Sequence, residues 1–298
     1  MGTYDHNDWH GTTDGTPWMQ RTLLKLFRFI PLEFFYGVTA LVIPFYMLFD
    51  RRGSRASYAF YRRRLGRGPF HAILSVYANE FRMGQVVMDH FALYAGRKFD
   101  MQVEDMPVFE HLSAAEPGFV QVSSHVGNYE MAGYTLQTKL KRMYALVFAG
   151  ETETVMTQRA ARFSASNIEM VPISEDMSHL FTLNAALLDG NIVSMPGDRL
   201  FGSQKSLSCD FFGAPARFPA GPFMLAAQRA VAMLAVFVMK EAPRRYRVHI
   251  HRIGEGLDAG LPAKSRAQSL AGEFAGRLEA VVRRYPTQWF NYFDFWKA

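Results

Sequence analysis

From Phe119 onward, short apolar segments alternate with longer ones of helical spacing, and no other feature constrains the fold as strongly. FVQVSS (119–124), MYALVFAG (143–150), IEMVPIS (168–174), NIVSMPGD (191–198) and VAMLAVFVMKEA (231–242) have the length and near-continuous apolarity of buried strands. Between them, NYEMAGYTLQTKL (128–140) and EDMSHLFTLNAALLDG (175–190) read as helices, the second begun by Asp176 or Ser174 and closed by Gly190. PAGPFMLAAQRA (219–230) opens a helix with proline near its first turn. A helix is also expected after Gly150, to about Ser164. RYRVHIHRIG (245–254) alternates as a half-exposed strand does, and 263–285 reads as a closing helix. Apolar strands separated by helices imply an α/β fold, a mostly parallel or mixed sheet covered by helices on both faces.

The N-terminal quarter has a different character. Residues 1–20 are polar and are expected to form an arm; residues 21–70 carry an apolar run and a basic cluster; residues 71–298 form one catalytic domain, opened by an amphipathic helix over 74–96. The run FFYGVTALVIPFYMLF (34–49) holds sixteen residues without a charge. As a helix it covers about 24 Å, short of the roughly 30 Å hydrocarbon core. Just beyond it come Arg51, Arg52, Arg55, Arg62, Arg63, Arg64 and Arg67 against Asp50 alone, which accounts for the whole net charge of +6. An apolar segment followed by arginines predicts a membrane-anchoring helix with the arginines cytoplasmic; a buried core helix is the alternative. The lipid-seeking neighbour turns the basic cluster away from nucleic acid. No small-residue cleavage site follows the run, so it does not read as a secretory signal. Aromatic residues at 14%, including 26 Phe, fit contact with lipid or an apolar ligand.

Other chemistries are narrowed by what the sequence lacks. The one cysteine, Cys209, excludes an internal disulfide and a multi-cysteine metal site. Neither a G-x-x-x-x-G-K-[ST] nor a G-x-G-x-x-G pattern occurs, so no nucleotide cofactor is indicated, and none of any other kind is expected. His249 and His251 share a strand face, but no acidic or cysteine ligand flanks them in sequence. No G-x-S-x-G elbow is present to supply a serine nucleophile.

The stretch SSHVGNYE (123–130) sits where ligands gather in α/β sheets, at the carboxyl end of a strand. His125 and Glu130 are five apart, a spacing that would put them on different faces of a regular helix. They meet only if the chain turns first, and Gly127 and Asn128 are residue types that allow a turn. In that case Glu130 would hold Nδ1–H of His125 and leave Nε2 to act as a base. A structural polar histidine is the alternative. A base without an enzymic nucleophile points to a nucleophile carried by the substrate. The second strand-end loop, PGDRLFGS (196–203), offers Arg199 for phosphate with Asp198 to hold it, or else an ordinary surface salt bridge.

HVGNYE resembles the H-x4-D/E motif of the glycerolipid acyltransferase superfamily, and its Gly-Asn and terminal Glu resemble the branch of the bacterial lipid A late acyltransferases. FFGAPARFPAGPFMLAAQRA (211–230) and YPTQWFNYFDFW (285–296) are similar to two further segments of that branch, in the same order. The resemblance runs from about Thr22 to the C-terminus. It implies an enzyme of the inner membrane, its catalytic domain facing the cytoplasm. That enzyme would move an acyl chain from an acyl carrier protein or coenzyme A thioester to a hydroxyl or amine of a lipid. Under it His125 is the base, Glu130 its partner, and Gly127, Asn128, Asp198 and Arg199 contact substrate. A thioesterase using the same pair to activate water, and a membrane scaffold without activity, are the alternatives.

Overall fold

The computed structural model describes residues 17–49, 51–147, 166–174, 176–200, 205–258 and 260–297. Four helices come first: α1 (Pro17–Phe29), α2 (Leu32–Phe49), α3 (Arg51–Arg63) and the long α4 (Pro69–Tyr94). The apolar run is thus extended by two residues and continues through Pro44 as helix. Helix α1 begins inside the segment expected to be an arm. The helix expected between Gly150 and Ser164 lies outside the described residues.

The α/β body follows. Strands β1 (Asp100–Val103), β2 (Phe119–Ser123), β3 (Met143–Val147), β4 (Ile168–Pro172), β5 (Ile192–Pro196), β8 (Met233–Ala242) and β9 (Arg245–Ile253) form one sheet in the order β1-β9-β8-β2-β5-β3-β4. All neighbours run parallel except β8 and β9, which form an antiparallel hairpin. This is the mixed, mostly parallel sheet that the apolar segments predict. The strand β8 shows why those segments lack alternation. Met233, Ala235, Phe237 and Met239 pack on one face with Phe274 and Leu278 of α9 (Ala263–Arg284) and Phe223 of α8 (Gly221–Arg229). Leu234, Val236 and Val238 pack on the other with Phe109 of α5 (Met106–Ala114) and Met131 of α6 (Glu130–Thr135). Both faces are buried, and each large apolar side chain so buried stabilises the fold by roughly 1.5–3 kcal/mol. Helix α7 (Ser178–Leu188) makes the crossover from β4 to β5.

A separate hairpin, β6 (Ser206–Phe211) and β7 (Ala214–Pro219), accounts for the FFGAP segment. Its two turn residues, Phe212 and Gly213, have φ of +53° and +70°, the paired left-handed geometry that a two-residue hairpin turn demands. The tail then returns across the molecule through a 3-10 turn at Pro286–Gln288, with Trp289 and Phe295 buried against Phe211.

Candidate active site

Strand register assembles the site. In the parallel pair of β2 and β5, Ser123 lies opposite Pro196, so two residues further along each chain His125 lies opposite Asp198. The two residues are 73 apart in sequence, yet Nδ1 of His125 is 2.8 Å from Oδ1 of Asp198, and the His125 backbone N–H donates to Oδ2 at 2.8 Å. The Asp198 side chain is 2% exposed and that of His125 is 22% exposed. One edge of the imidazole is therefore fixed from within while the other remains open.

The proton positions follow from charge. Burial works against the Asp198 carboxylate, but the charge and hydrogen bonds of His125, with the Arg199 guanidinium, hold its pKa below the usual value. An ionised carboxylate can only accept, so Nδ1 of His125 donates and Nε2 carries the lone pair. Burial and the nearby Arg199 push the histidine pKa down, and Asp198 only partly offsets them, which keeps the ring neutral near pH 7. Nε2 has no protein partner among the described residues, and the ring of Tyr129 stands edge-on to the imidazole with centroids 5.4 Å apart. The arrangement, a neutral imidazole held at Nδ1 by a carboxylate, has the geometry that a general base requires.

The expected partner of His125, Glu130, sits elsewhere. It is the first residue of α6; its Oε1 accepts the Tyr94 hydroxyl at 2.6 Å and the Tyr134 hydroxyl at 3.0 Å, and its Oε2 is 3.9 Å from Nε2 of His90. The carboxylate on Nδ1 of His125 is Asp198, which corrects the expected His125–Glu130 pairing. The physical reason is that the turn does not fold Glu130 back. Gly127 has φ of +60°, and a side chain there would put Cβ 2.0 Å from the Val238 carbonyl oxygen. Such close approach lets Asn128 N–H donate to that same oxygen at 2.7 Å and directs the chain over β8 into α6.

Asn128 is 1% exposed. Its side chain meets Nε2 of His90 at 2.7 Å and the Tyr246 hydroxyl at 3.3 Å. Behind Tyr246 lies a second buried cluster in which Lys240 of β8 pairs with Asp89 of α4, and both the Tyr246 and Tyr36 hydroxyls donate to Asp89. Lys240 and Asp89 are fully buried, so burial pushes the lysine pKa down and the aspartate pKa up, each opposed by the partner's charge. Gly127 and Asn128, expected to touch substrate, are engaged with β8 and with the His90 and Tyr246 side chains.

The C-terminal tail is the part of the site that sequence reasoning passed over. Gly127 N–H donates to Gln288 O at 2.7 Å, and Phe290 N–H donates to His125 O at 2.9 Å. Gln288 in turn clasps both backbone groups of Lys240, at 2.9 and 2.8 Å. Arg199 reaches the same tail, its Nη2 donating to Phe290 O at 2.8 Å. The segment TQWF therefore ties the His125 turn, the Arg199 loop and β8 together.

Other candidates recede. Cys209 is buried, and burial pushes its thiol up to about 11, which leaves almost no thiolate at neutral pH. His249 does have an acidic neighbour, Glu104, 2.6 Å from its Nδ1, which corrects the reading of an unflanked pair; no group of three metal-binding side chains occurs among the described residues.

Residues 83–298 match the family model of bacterial lipid A biosynthesis acyltransferases. The chain belongs to that family. It is 24% identical over 203 residues to the phosphatidylinositol mannoside acyltransferase of Mycobacterium tuberculosis (strain ATCC 25618 / H37Rv), a match covering 68% of this chain and 62% of that protein. The crystal structure of the 1-acyl-sn-glycerophosphate acyltransferase PlsC from Thermotoga maritima aligns with 92% of this chain and 99% of its own, at 14% identity and a TM-score of 0.41.

Proposed function

We propose that this member of the lipid A acyltransferase family transfers a fatty acyl chain from a thioester of an acyl carrier protein or coenzyme A to a hydroxyl or amine of a lipid. It would work at the cytoplasmic face of the inner membrane. The observation that carries the reading is the His125–Asp198 pair, with Nδ1 held at 2.8 Å and Nε2 left open.

In this mechanism Nε2 removes the proton of the acceptor as its oxygen or nitrogen attacks the thioester carbonyl. Asp198 stabilises the imidazolium that results. When the tetrahedral intermediate collapses, the carbon–sulfur bond breaks and the imidazolium returns its proton to the thiolate. The acyl chain is then an ester or amide of the lipid, the donor is a free thiol, and the histidine is again neutral. No enzymic nucleophile is required, in keeping with a thiol at position 209 that burial keeps protonated. Arg199, adjacent to the pair and charged, suits an anionic phosphate on donor or acceptor.

The test is to incubate membranes carrying the protein with labelled acyl thioester and follow both thioester loss and labelled lipid, for wild type and His125→Gln. Lipid labelling that falls by roughly 10²–10⁴-fold in the variant is the expected result. Thioester loss without any lipid acceptor would identify a thioesterase, and undiminished labelling by folded His125→Gln would overturn the assignment of the base.

A further inference from the structure

Helix α2 is too well seated to cross a bilayer. Its inner face packs antiparallel along α4: the Tyr36 hydroxyl reaches Asp89 and the Pro243 carbonyl (2.9 Å), and the Tyr77 hydroxyl of α4 donates to Ala40 O at 3.1 Å. At Gly84 of α4 the fit is closer still, since a Cβ there would lie 2.4 Å from the Thr39 methyl. To drive α2 through the hydrocarbon would carry with it α4, in which Asn79, Glu80, Gln85 and Asp89 are buried polar groups. Alternatively it would strip away the partners of Tyr36, and either choice costs several kcal/mol for each polar group left in lipid. By length and composition alone the 18 residues of α2 could cross a bilayer, so it is the packing against α4 that argues otherwise.

The outer face of the same helix is an unbroken apolar stripe. Phe34, Leu41, Val42, Phe45, Leu48 and Phe49 are each more than half exposed. Phe29 at the end of α1 is 84% exposed, and Phe70 and Ile73 in the first turns of α4 are 68% and 52% exposed. Helix α3, joined to the end of α2, carries Arg51, Arg52, Arg55, Arg62 and Arg63 on exposed positions and no acidic residue. An apolar stripe flanked by an arginine-bearing helix that contains no acidic residue is complementary to acyl chains beneath anionic headgroups. A protein partner would more often be met by a polar rim of both signs.

We infer that α2 lies in the plane of one leaflet, its outer stripe buried among the outermost acyl carbons with Phe29, Phe70 and Ile73 beside it, and that the arginines of α3 rest on anionic lipid phosphates. This deepens the membrane part of the proposed function, and its test reads membrane depth without acyl transfer, so either can fail alone.

The experiment places single cysteines by Phe34→Cys, Leu41→Cys and Leu48→Cys in the full chain carrying Cys209→Ser. Each is labelled with an environment-sensitive fluorophore. Vesicles of phosphatidylglycerol and phosphatidylethanolamine contain quenchers at headgroup or mid-chain depth. All three labels are expected at one shallow depth. A profile deepest at position 41 with shallow ends would mean a spanning helix and overturn the inference. Labels shielded before vesicles are added would mean a protein partner, and labels unquenched in vesicles would mean no lipid contact; both also overturn it. Reversing three charges with Arg55→Glu, Arg62→Glu and Arg63→Glu is expected to weaken binding to these vesicles at least about 10-fold at low salt. Unchanged binding, with binding to pure phosphatidylcholine equal to that of wild type on anionic vesicles, would overturn the role of the arginines.

Discussion

His125 and His90 each have a carboxylate at hand, and the two pairs differ in how closely they are joined and in what surrounds them. Nδ1 of His125 is 2.8 Å from Asp198, whereas Nε2 of His90 is 3.9 Å from Glu130 and is taken at 2.7 Å by the Asn128 side chain. Around Nε2 of His90 the neighbouring polar groups are turned toward one another: Tyr94 and Tyr134 on Glu130, Asn128 on Tyr246, Tyr246 on Asp89. Around His125 the ring is held on one side and open on the other. Similar residue types thus give two different arrangements: a carboxylate directly on the ring nitrogen of His125, and an amide on that of His90 with the carboxylate set further back. A carboxylate within hydrogen-bond distance of Nδ1 can orient and stabilise the ring, whereas one at 3.9 Å behind an amide cannot do so directly.

Asp198→Asn strikes at this contrast hardest. An amide at position 198 can present N–H to Nδ1, which moves the ring proton to Nε2 and removes the lone pair that a base needs. We expect kcat to fall by roughly 10²–10⁴-fold with the fold retained, as judged by circular dichroism. Activity within a few-fold of wild type would mean that the pair at 2.8 Å does not orient the base.

How far the sequence reveals this can be judged from the same residues. His125 and its place at the end of β2 are legible locally, because a short apolar segment ending in serines marks a strand and its turn. So is the α/β architecture, since apolar continuity reports burial on both sheet faces. The partner of His125 is not legible in this way. Glu130 is close in sequence and belongs to the motif, whereas Asp198 is supplied by a strand whose neighbour is known only once β5 is placed beside β2. One signal was present: NIVSMPGD ends in an acid two residues past a strand, as FVQVSSH ends in a histidine two residues past another. Matching offsets on two strands suggest residues that meet if the strands pair. The tail was legible as a motif and silent as a contact. Gln288 O and the Phe290 backbone hold the His125 turn through main-chain groups, and the Gln288 side chain grips the backbone of Lys240, contacts that composition cannot report.

Glu130→Gln sharpens the comparison from the other side. Glutamine keeps an oxygen for the Tyr94 and Tyr134 hydroxyls but gives up the charge, so the turn should survive with weaker bonds. The expected loss is about 1–3 kcal/mol of unfolding free energy in a denaturant titration. The reduction in kcat should stay below about 10-fold, with the pH profile unmoved, because Glu130 acts on the shape of the turn and not on the base. A loss as large as that of Asp198→Asn would make Glu130 a member of the proton-handling group.

Arg199→Gln is the gentlest of these changes for kcat and bears on the electrostatics of the His125–Asp198 pair, separately from any effect on phosphate binding that would appear in KM. Burial depresses the His125 pKa most, and the Arg199 charge depresses it further, while Asp198 raises it. Because the neutral ring is the working form, activity is full above the histidine pKa and is lost as pH falls through it. Removing the guanidinium takes away one of the two depressing influences, so the acid limb of kcat/KM should move toward higher pH, in the direction of an ordinary histidine, while the plateau value of kcat changes little. The same variant leaves the Phe290 carbonyl without its donor at 2.8 Å, but Phe290 N–H still holds His125 O at 2.9 Å, so the turn keeps its anchor. An acid limb that stays in place would mean the charge at 199 is screened from the imidazole. A limb that moves to lower pH would mean that Arg199 acts mainly by keeping Asp198 against Nδ1, so that its loss weakens the carboxylate's pull on the ring. The direction of that shift therefore separates a cation that tunes the base through its charge from one that positions the base's carboxylate.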